Sequence, residues 1–164
     1  MIDTGRFQSC VCIGRNNPNN LCEAPLTFQE KGVKVTLSLR NNEEAQAIVL
    51  DGCVCIDNKK KCDGLFLFKR SNNRKIILVE LKGTHLDDAF EQISLTKQRA
   101  EYQELVQLFS ENGNHRVSPS AFIISSTIFK RHEIAALENQ HNIRVKVLYC
   151  GPTSKIPDIR PELR

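Results

Sequence analysis

The sequence predicts an α/β (α+β) domain: a mixed β-sheet flanked by helices, with a β-rich N-terminal part followed by an α-β-α-β order. Three observations carry this. Apolar and polar residues alternate from Val33 to Arg40 and again from Ile143 to Tyr149, the period of half-buried strands. Largely apolar runs at 65–68 and 76–81 have the length of strands buried on both faces. The stretch after Asp87 repeats its apolar residues at helical spacing.

Taken in order, residues 13–25 are rich in Asn and Pro and read as loop. Val33, Val35, Leu37 and Leu39 form one face of a first strand. Asn41-Asn42-Glu43 then turns the chain, and 45–50 returns as a second strand. Asp51-Gly52 and Asp57-Asn58-Lys59 are further turns. The runs at 65–68 and 76–81 read as a hairpin joined by the polar segment 69–75. Asp87-Asp88 places carboxylates where a helix dipole favours them, and one helix is expected from there to about Ser110, stopping at Asn112-Gly113-Asn114. A buried strand over 121–125, a helix over 129–140 and a strand over 143–149 complete the order. The segment 151–164 holds Pro152, Pro157 and Pro161 and is expected to be an irregular, mobile tail. Three regions result: a Cys-containing arm at 1–30, a core at 31–150 and the Pro-containing tail at 151–164.

The chain's 164 residues suit one domain, and 40% hydrophobic with 26% charged residues exclude a disordered or fibrous chain. No apolar run approaches the ~20 residues a membrane helix needs, so no membrane partner is expected. Met1 to Arg6 lack the basic and apolar regions of a signal peptide, which predicts a cytoplasmic protein. A net charge of +4 permits a nucleic-acid partner without requiring one. The seven cysteines are odd in number, so a full disulfide framework is not expected; buried thiols or a metal site are.

Chemistry concentrates in Cys62-Asp63-Gly64-Leu65 and Val79-Glu80-Leu81-Lys82-Gly83. Side chains alternate along a strand, so Glu80 and Lys82 share a face and Leu81 takes the other. The hairpin brings Asp63 to the Glu80 end of its partner strand. Two carboxylates offer hard oxygen ligands for Mg²⁺ or Mn²⁺, and a neighbouring ammonium orients water and stabilises negative charge. A solvated Glu-x-Lys at a strand end is the bland alternative.

Asp63 with Glu80-Leu81-Lys82, each beside an apolar strand, resembles the signature of the PD-(D/E)XK nuclease superfamily. Val49 to Cys53, Lys61-Cys62-Asp63 and Val79 to Gly83 with Ala89-Phe90-Glu91-Gln92-Ile93 resemble small uncharacterised bacterial members, over roughly residues 45–97. The resemblance implies a restriction-endonuclease-like core, a Mg²⁺ or Mn²⁺ ion on Asp63, Glu80 and the Leu81 carbonyl, and Lys82 positioning the attacking water. Cys62 stands where the family has Pro. The family's N-terminal helix with its accessory Glu is not visible, and Glu43 or Glu44 are candidates for that role. Gln92 sits where the family often has a Gln touching water, metal or phosphate. His85 is an accessory candidate for phosphate contact.

Helical projection sets Ala89, Ile93, Lys97, Ala100 and Leu108 toward the sheet, with Gln92 at the stripe's edge. Gln98 and Tyr102, a Gln-x3-Tyr pair of the RecB-like kind, fall on the other side. Leu95, Tyr102 and Phe109 form a second apolar stripe that needs cover, by another part of the chain or by a second subunit; a homodimer through it is one reading. Cys10-x-Cys12 and Cys53-x-Cys55 each put two thiols on one face, and Cys10, Cys12, Cys22 and Cys53 are possible zinc ligands, so Zn²⁺ stands behind Mg²⁺ or Mn²⁺ as a cofactor. His115, His132 and His141 show no ligand spacing.

The expected function is therefore a divalent-metal-dependent phosphodiesterase acting on nucleic acid, DNA before RNA, most simply an endonuclease. The alternative is a nucleic-acid-binding or regulatory module on a nuclease fold with little or no catalysis. Lys59, Lys60 and Lys61 are expected to track phosphates.

Overall fold

The computed structural model describes residues 1–14, 20–82 and 85–163. After one 3-10 turn at Gly5–Cys10, the short strands β1 (Cys22–Ala24), β2 (Thr27–Glu30) and β3 (Val33–Thr36) pair antiparallel in that order. A second sheet follows, ordered β4 (Glu43–Val49), β5 (Gly64–Arg70), β6 (Asn73–Lys82), β7 (Val117–Ser125) and β8 (Lys146–Tyr149). β4, β5 and β6 are antiparallel; β6 with β7 and β7 with β8 are parallel. Parallel neighbours need crossovers. Helices α1 (Leu86–Lys97) and α2 (Ala100–Phe109) make the first, and α3 (Arg131–His141) makes the second.

Alternation along the strands builds two cores, one on each face of the large sheet. Leu65, Leu67, Ile76, Leu78 and Ile123 meet Ala89, Phe90 and Ile93 of α1 and Tyr102, Leu105 and Phe109 of α2. Phe66, Phe68, Ile77, Val79 and Phe122 meet Phe28, Val33 and Val35 of the small sheet, closed by Ile159 and Leu163. Glu80 follows the parity of Leu78 and so lies on the helix face. Gly64 is fixed by close approach: a Cβ there would come within 2.7 Å of the Phe28 ring and 3.0 Å of the Ile48 carbonyl.

The mixed helix-flanked sheet agrees with the fold class read from the sequence, and several details differ. The strand at 33–36 does not return as 45–50. β3 pairs with β2 while β4 pairs with β5 in the other sheet, because both faces of β5 and β6 need covering. The hairpin turn is only Ser71-Asn72, since Arg70 pairs with Asn73, so the polar residues expected in the connection extend the strands. The single helix expected to Ser110 is two. Arg99 turns extended (φ −78°, ψ 145°), and its guanidinium reaches Asp57 at 2.5 Å. That break rotates α2 so that Tyr102, Leu105 and Phe109 enter the core. The stripe read as a possible dimer seam is thus covered by the chain itself, leaving only Leu95 partly exposed.

The tail is docked rather than loose. Asp158 bridges to Thr36, Ile159 is fully buried, and Arg160 forms a buried ion pair with Glu43. The N-terminal arm is likewise part of the core through Ile2, Phe7, Cys10 and Val11. Its cysteines correct the thiol expectation: Cys10 is bonded to Cys53 and Cys12 to Cys22, leaving Cys55, Cys62 and Cys150 as buried free thiols. Such bonds persist in oxidising compartments and are rare in the reducing cytosol. Among the described residues, no helix is long and apolar enough to cross a membrane.

Candidate active site

β5 and β6 pair through Gly64 and Val79, so Asp63, one residue before β5, falls opposite Glu80. The backbone N–H of Asp63 donates to Glu80 Oε1 at 3.2 Å, and Asp63 Oδ2 accepts the Leu81 N–H at 2.8 Å. A residue's N–H and C=O leave a strand on the same side, so the Leu81 carbonyl points to the edge where Asp63 stands. Glu80 is only 1% exposed, and its Oε2 is buried with no hydrogen-bond partner. Burial first, and the adjacent Asp63 carboxyl second, push Glu80 up from 4.5 to about 11. A buried carboxyl beside a half-buried one calls for a proton or a cation.

Lys82, half-buried at the end of β6, lies near enough for its charge to act on Glu80. Among the described residues it makes no ion pair. Gln92 stands on α1 with its Oε1 buried and unpartnered. Its helix packs on the face of the sheet that carries Glu80. Gln98 is exposed at the helix break, and Tyr102 is buried in the core. His85 is exposed at the start of α1 and caps nothing with its side chain. Gly83, the last residue of the motif, lies outside the described residues.

Two candidates fall far from this centre. Glu43 pairs with Arg70, at the end of the sheet opposite Gly64. Six residues of strand separate it from Val49, roughly 20 Å at ~3.3 Å per residue. Its carboxylate is held by Arg160, whose hydrogen bonds pull it below its usual range. Glu44 is exposed and bonds the chain's N-terminal amine at 3.3 Å. Neither serves Asp63 and Glu80.

Sequence reasoning missed Glu30 at the end of β2. It lines a pocket of about 340 Å³ with Gln29, Lys31, Asp51 and Asp63. Partial burial first and the Asp63 charge second raise its carboxyl, while Lys82 acts in the opposite sense. The signal was present only as a Glu-Lys-Gly hairpin tip. Lys31 (φ 50°) and Gly32 (φ 81°) make that turn, which sets Glu30 at the rim of the large sheet.

The expected phosphate-tracking lysines are mostly occupied. Lys61 is buried, its ammonium donating to the carbonyls of Asp57 and Lys59. Lys60 pairs with Glu91 at 2.7 Å, and Lys59 alone of the three stands without an ion pair among the described residues. The proposed zinc ligands Cys10, Cys12, Cys22 and Cys53 are spent in disulfides, whose sulfurs are not thiolates. Among the described residues, no group of three or more His, Cys, Asp or Glu is placed to hold a metal.

No family model, curated protein or solved structure matches the chain.

Proposed function

We propose that the protein is a divalent-metal-dependent phosphodiesterase acting on nucleic acid, a DNA endonuclease in the first instance, in the manner of the PD-(D/E)XK enzymes its motif resembles. The observation that carries this reading is the orphaned, fully buried oxygen of Glu80 beside Asp63. A cation there would satisfy that oxygen and remove the repulsion between the carboxyls. Asp63, Glu80 and the Leu81 carbonyl form a hard-oxygen donor set that fits Mg²⁺ or Mn²⁺.

Bound there, the ion would lower the pKa of its water and offset charge on a scissile phosphate. The chain's own residues do the rest. Asp63 is held by the Leu81 N–H, so its free oxygen has a fixed direction. Lys82, one side chain along from Glu80 on the same face, orients water and meets the developing negative charge. Gln92 brings a polar amide to the same side of the sheet.

The test combines titration and cleavage. Mn²⁺ binding is measured calorimetrically, and supercoiled plasmid is incubated with Mg²⁺, Mn²⁺ or EDTA. Asp63→Ala and Glu80→Ala should lose both metal and cleavage. Lys82→Ala should keep Mn²⁺ affinity, or improve it by removing a nearby positive charge, and lose ~10²-fold or more in rate. Wild-type cleavage by Lys82→Ala would refute the assignment of roles. Mn²⁺ binding without cleavage of any DNA or RNA would favour a binding module instead.

A further inference from the structure

We propose that Thr96 is a positioning residue for the Asp63–Glu80 centre, setting its cation affinity without touching the cation. This rests on the proposed metal site and deepens it. Thr96 lies in the last turn of α1 and is fully buried. Its Oγ1 accepts the backbone N–H of Cys62 at 2.7 Å and donates to the Gln92 carbonyl at 2.7 Å. One hydroxyl thus joins the residue before Asp63 to the backbone of Gln92.

The direction of this hydroxyl is fixed by chemistry. A threonine that back-bonds to the carbonyl four residues earlier gains nothing for its helix and slightly weakens it. What the bond does here is commit the hydroxyl hydrogen to Gln92, which leaves a lone pair facing Cys62. Cys62 is itself fully buried, so its N–H has no water to turn to if Thr96 is lost.

The link matters because the backbone groups of Asp63 itself are tied to other elements. The Asp63 N–H goes to Glu80 on β6. The Asp63 carbonyl accepts the N–H groups of Leu50 at 3.0 Å and Asp51 at 3.2 Å, in the turn after β4. Thr96 supplies the buried backbone attachment from the helix layer, beside the exposed Lys60–Glu91 pair. Without it the buried hydrogen bond between Cys62 and the last turn of α1 is lost, and the strand end carrying Asp63 keeps only apolar packing and exposed ion pairs to that helix. Partners that orient a ligand from outside its coordination sphere are typically worth ~10–100-fold in metal affinity.

The experiment compares Thr96→Val, which keeps the shape and removes the acceptor, with Thr96→Ser, which keeps the hydroxyl. Ile93→Val, a core truncation on the same helix, controls for simple destabilisation. Mn²⁺ affinity is read by calorimetry and Cys62 amide exchange by hydrogen–deuterium NMR, both on the folded full chain. Thr96→Val should bind Mn²⁺ ~10-fold more weakly and expose the Cys62 amide to faster exchange. Thr96→Ser should restore both, and Ile93→Val should leave affinity unchanged. Equal Mn²⁺ affinity in wild type and Thr96→Val overturns the positioning role and leaves the metal site standing. An affinity loss in Ile93→Val as large as in Thr96→Val overturns it too. Absence of Mn²⁺ binding in the wild type overturns the site and this inference together. If Thr96→Val does not fold, Thr96→Ser carries the test: wild-type affinity and amide protection support the hydroxyl link, and a tenfold loss despite the retained hydroxyl refutes it.

Discussion

Removing the titrating carboxyl of Glu80 should change how stability responds to pH, and the sign follows from its burial. A carboxyl whose folded-state value is raised, here from 4.5 to about 11, holds its proton more tightly in the folded than in the unfolded chain. Its contribution is fully present below the unfolded value and is lost as pH rises toward the folded one. One proton difference amounts to ~1.4 kcal/mol per pH unit. Between pH 6 and 8, well inside that window, cation-free protein should lose up to ~2.7 kcal/mol, a large share of the ~5–15 kcal/mol typical of a domain. Carboxyls held low, such as Glu43 by Arg160 and Asp57 by Arg99, have finished titrating below this range and do not confuse it. The assay is urea unfolding in EDTA at pH 6, 7 and 8, for wild type and Glu80→Gln. Wild-type midpoints should fall with pH, and those of Glu80→Gln should be nearly flat. Saturating Mn²⁺ should restore the wild type increasingly as pH rises, by ~2.7 kcal/mol at a hundredfold excess over its Kd, and leave Glu80→Gln unmoved. A wild-type profile parallel to that of Glu80→Gln would show that Glu80 is not the buried, proton-holding group the geometry makes it.

Reducing the disulfides should destabilise the protein measurably. In the chain-entropy account, opening the 43-residue span between Cys10 and Cys53 costs ~4 kcal/mol, and Cys10→Ser with Cys53→Ser should lower the urea midpoint accordingly. Identical midpoints with and without reductant would place the stability elsewhere. The Glu43–Arg160 pair should make acid unfolding steeper: Glu43 is held low, so its contribution is present above the ordinary carboxylate value and lost as pH falls through the lowered one. Glu43→Gln should flatten unfolding profiles taken between pH 3 and 5, and an unchanged slope would argue against the pair.

The fold was legible where a local pattern and the final environment agreed. The run at 76–81 announced a strand buried on both faces, and β6 is the sheet's central strand. Alternation at Val33 and Val35 gave a half-buried strand but could not say which sheet it joins, since one apolar face fits any partner. The helix break at Arg99 was illegible because nothing in Gln98-Arg99-Ala100 disfavours a helix. The break is fixed by Asp57, more than forty residues earlier, through a tertiary ion pair. The tail misled for a related reason. Its prolines leave room for no more than a 3-10 turn at Arg160–Glu162, yet Arg160 finds a buried carboxylate on β4 and Ile159 a place in the second core.

The same distinction separates the parts of the site. Asp63 and Glu80 were readable together because an antiparallel hairpin converts sequence spacing directly into distance: once Gly64 pairs with Val79, the two carboxyls must meet. Glu43 and Glu44 were candidates only by elimination, and the register places them at the wrong end of β4. Glu30 lines a pocket with Asp63 from another sheet, on the side of β5 where Gly64 meets Phe28. No periodicity within β2 encodes that approach; it follows from how two sheets pack. The chemistry thus divides by range. The pair that would hold the cation is set by a local hairpin, and the hydrogen bonds that tie its strand end come from α1 and from the turn after β4. Substitutions at Asp63 or Glu80 should therefore abolish metal binding outright, whereas loss of a long-range support such as Thr96 should grade it.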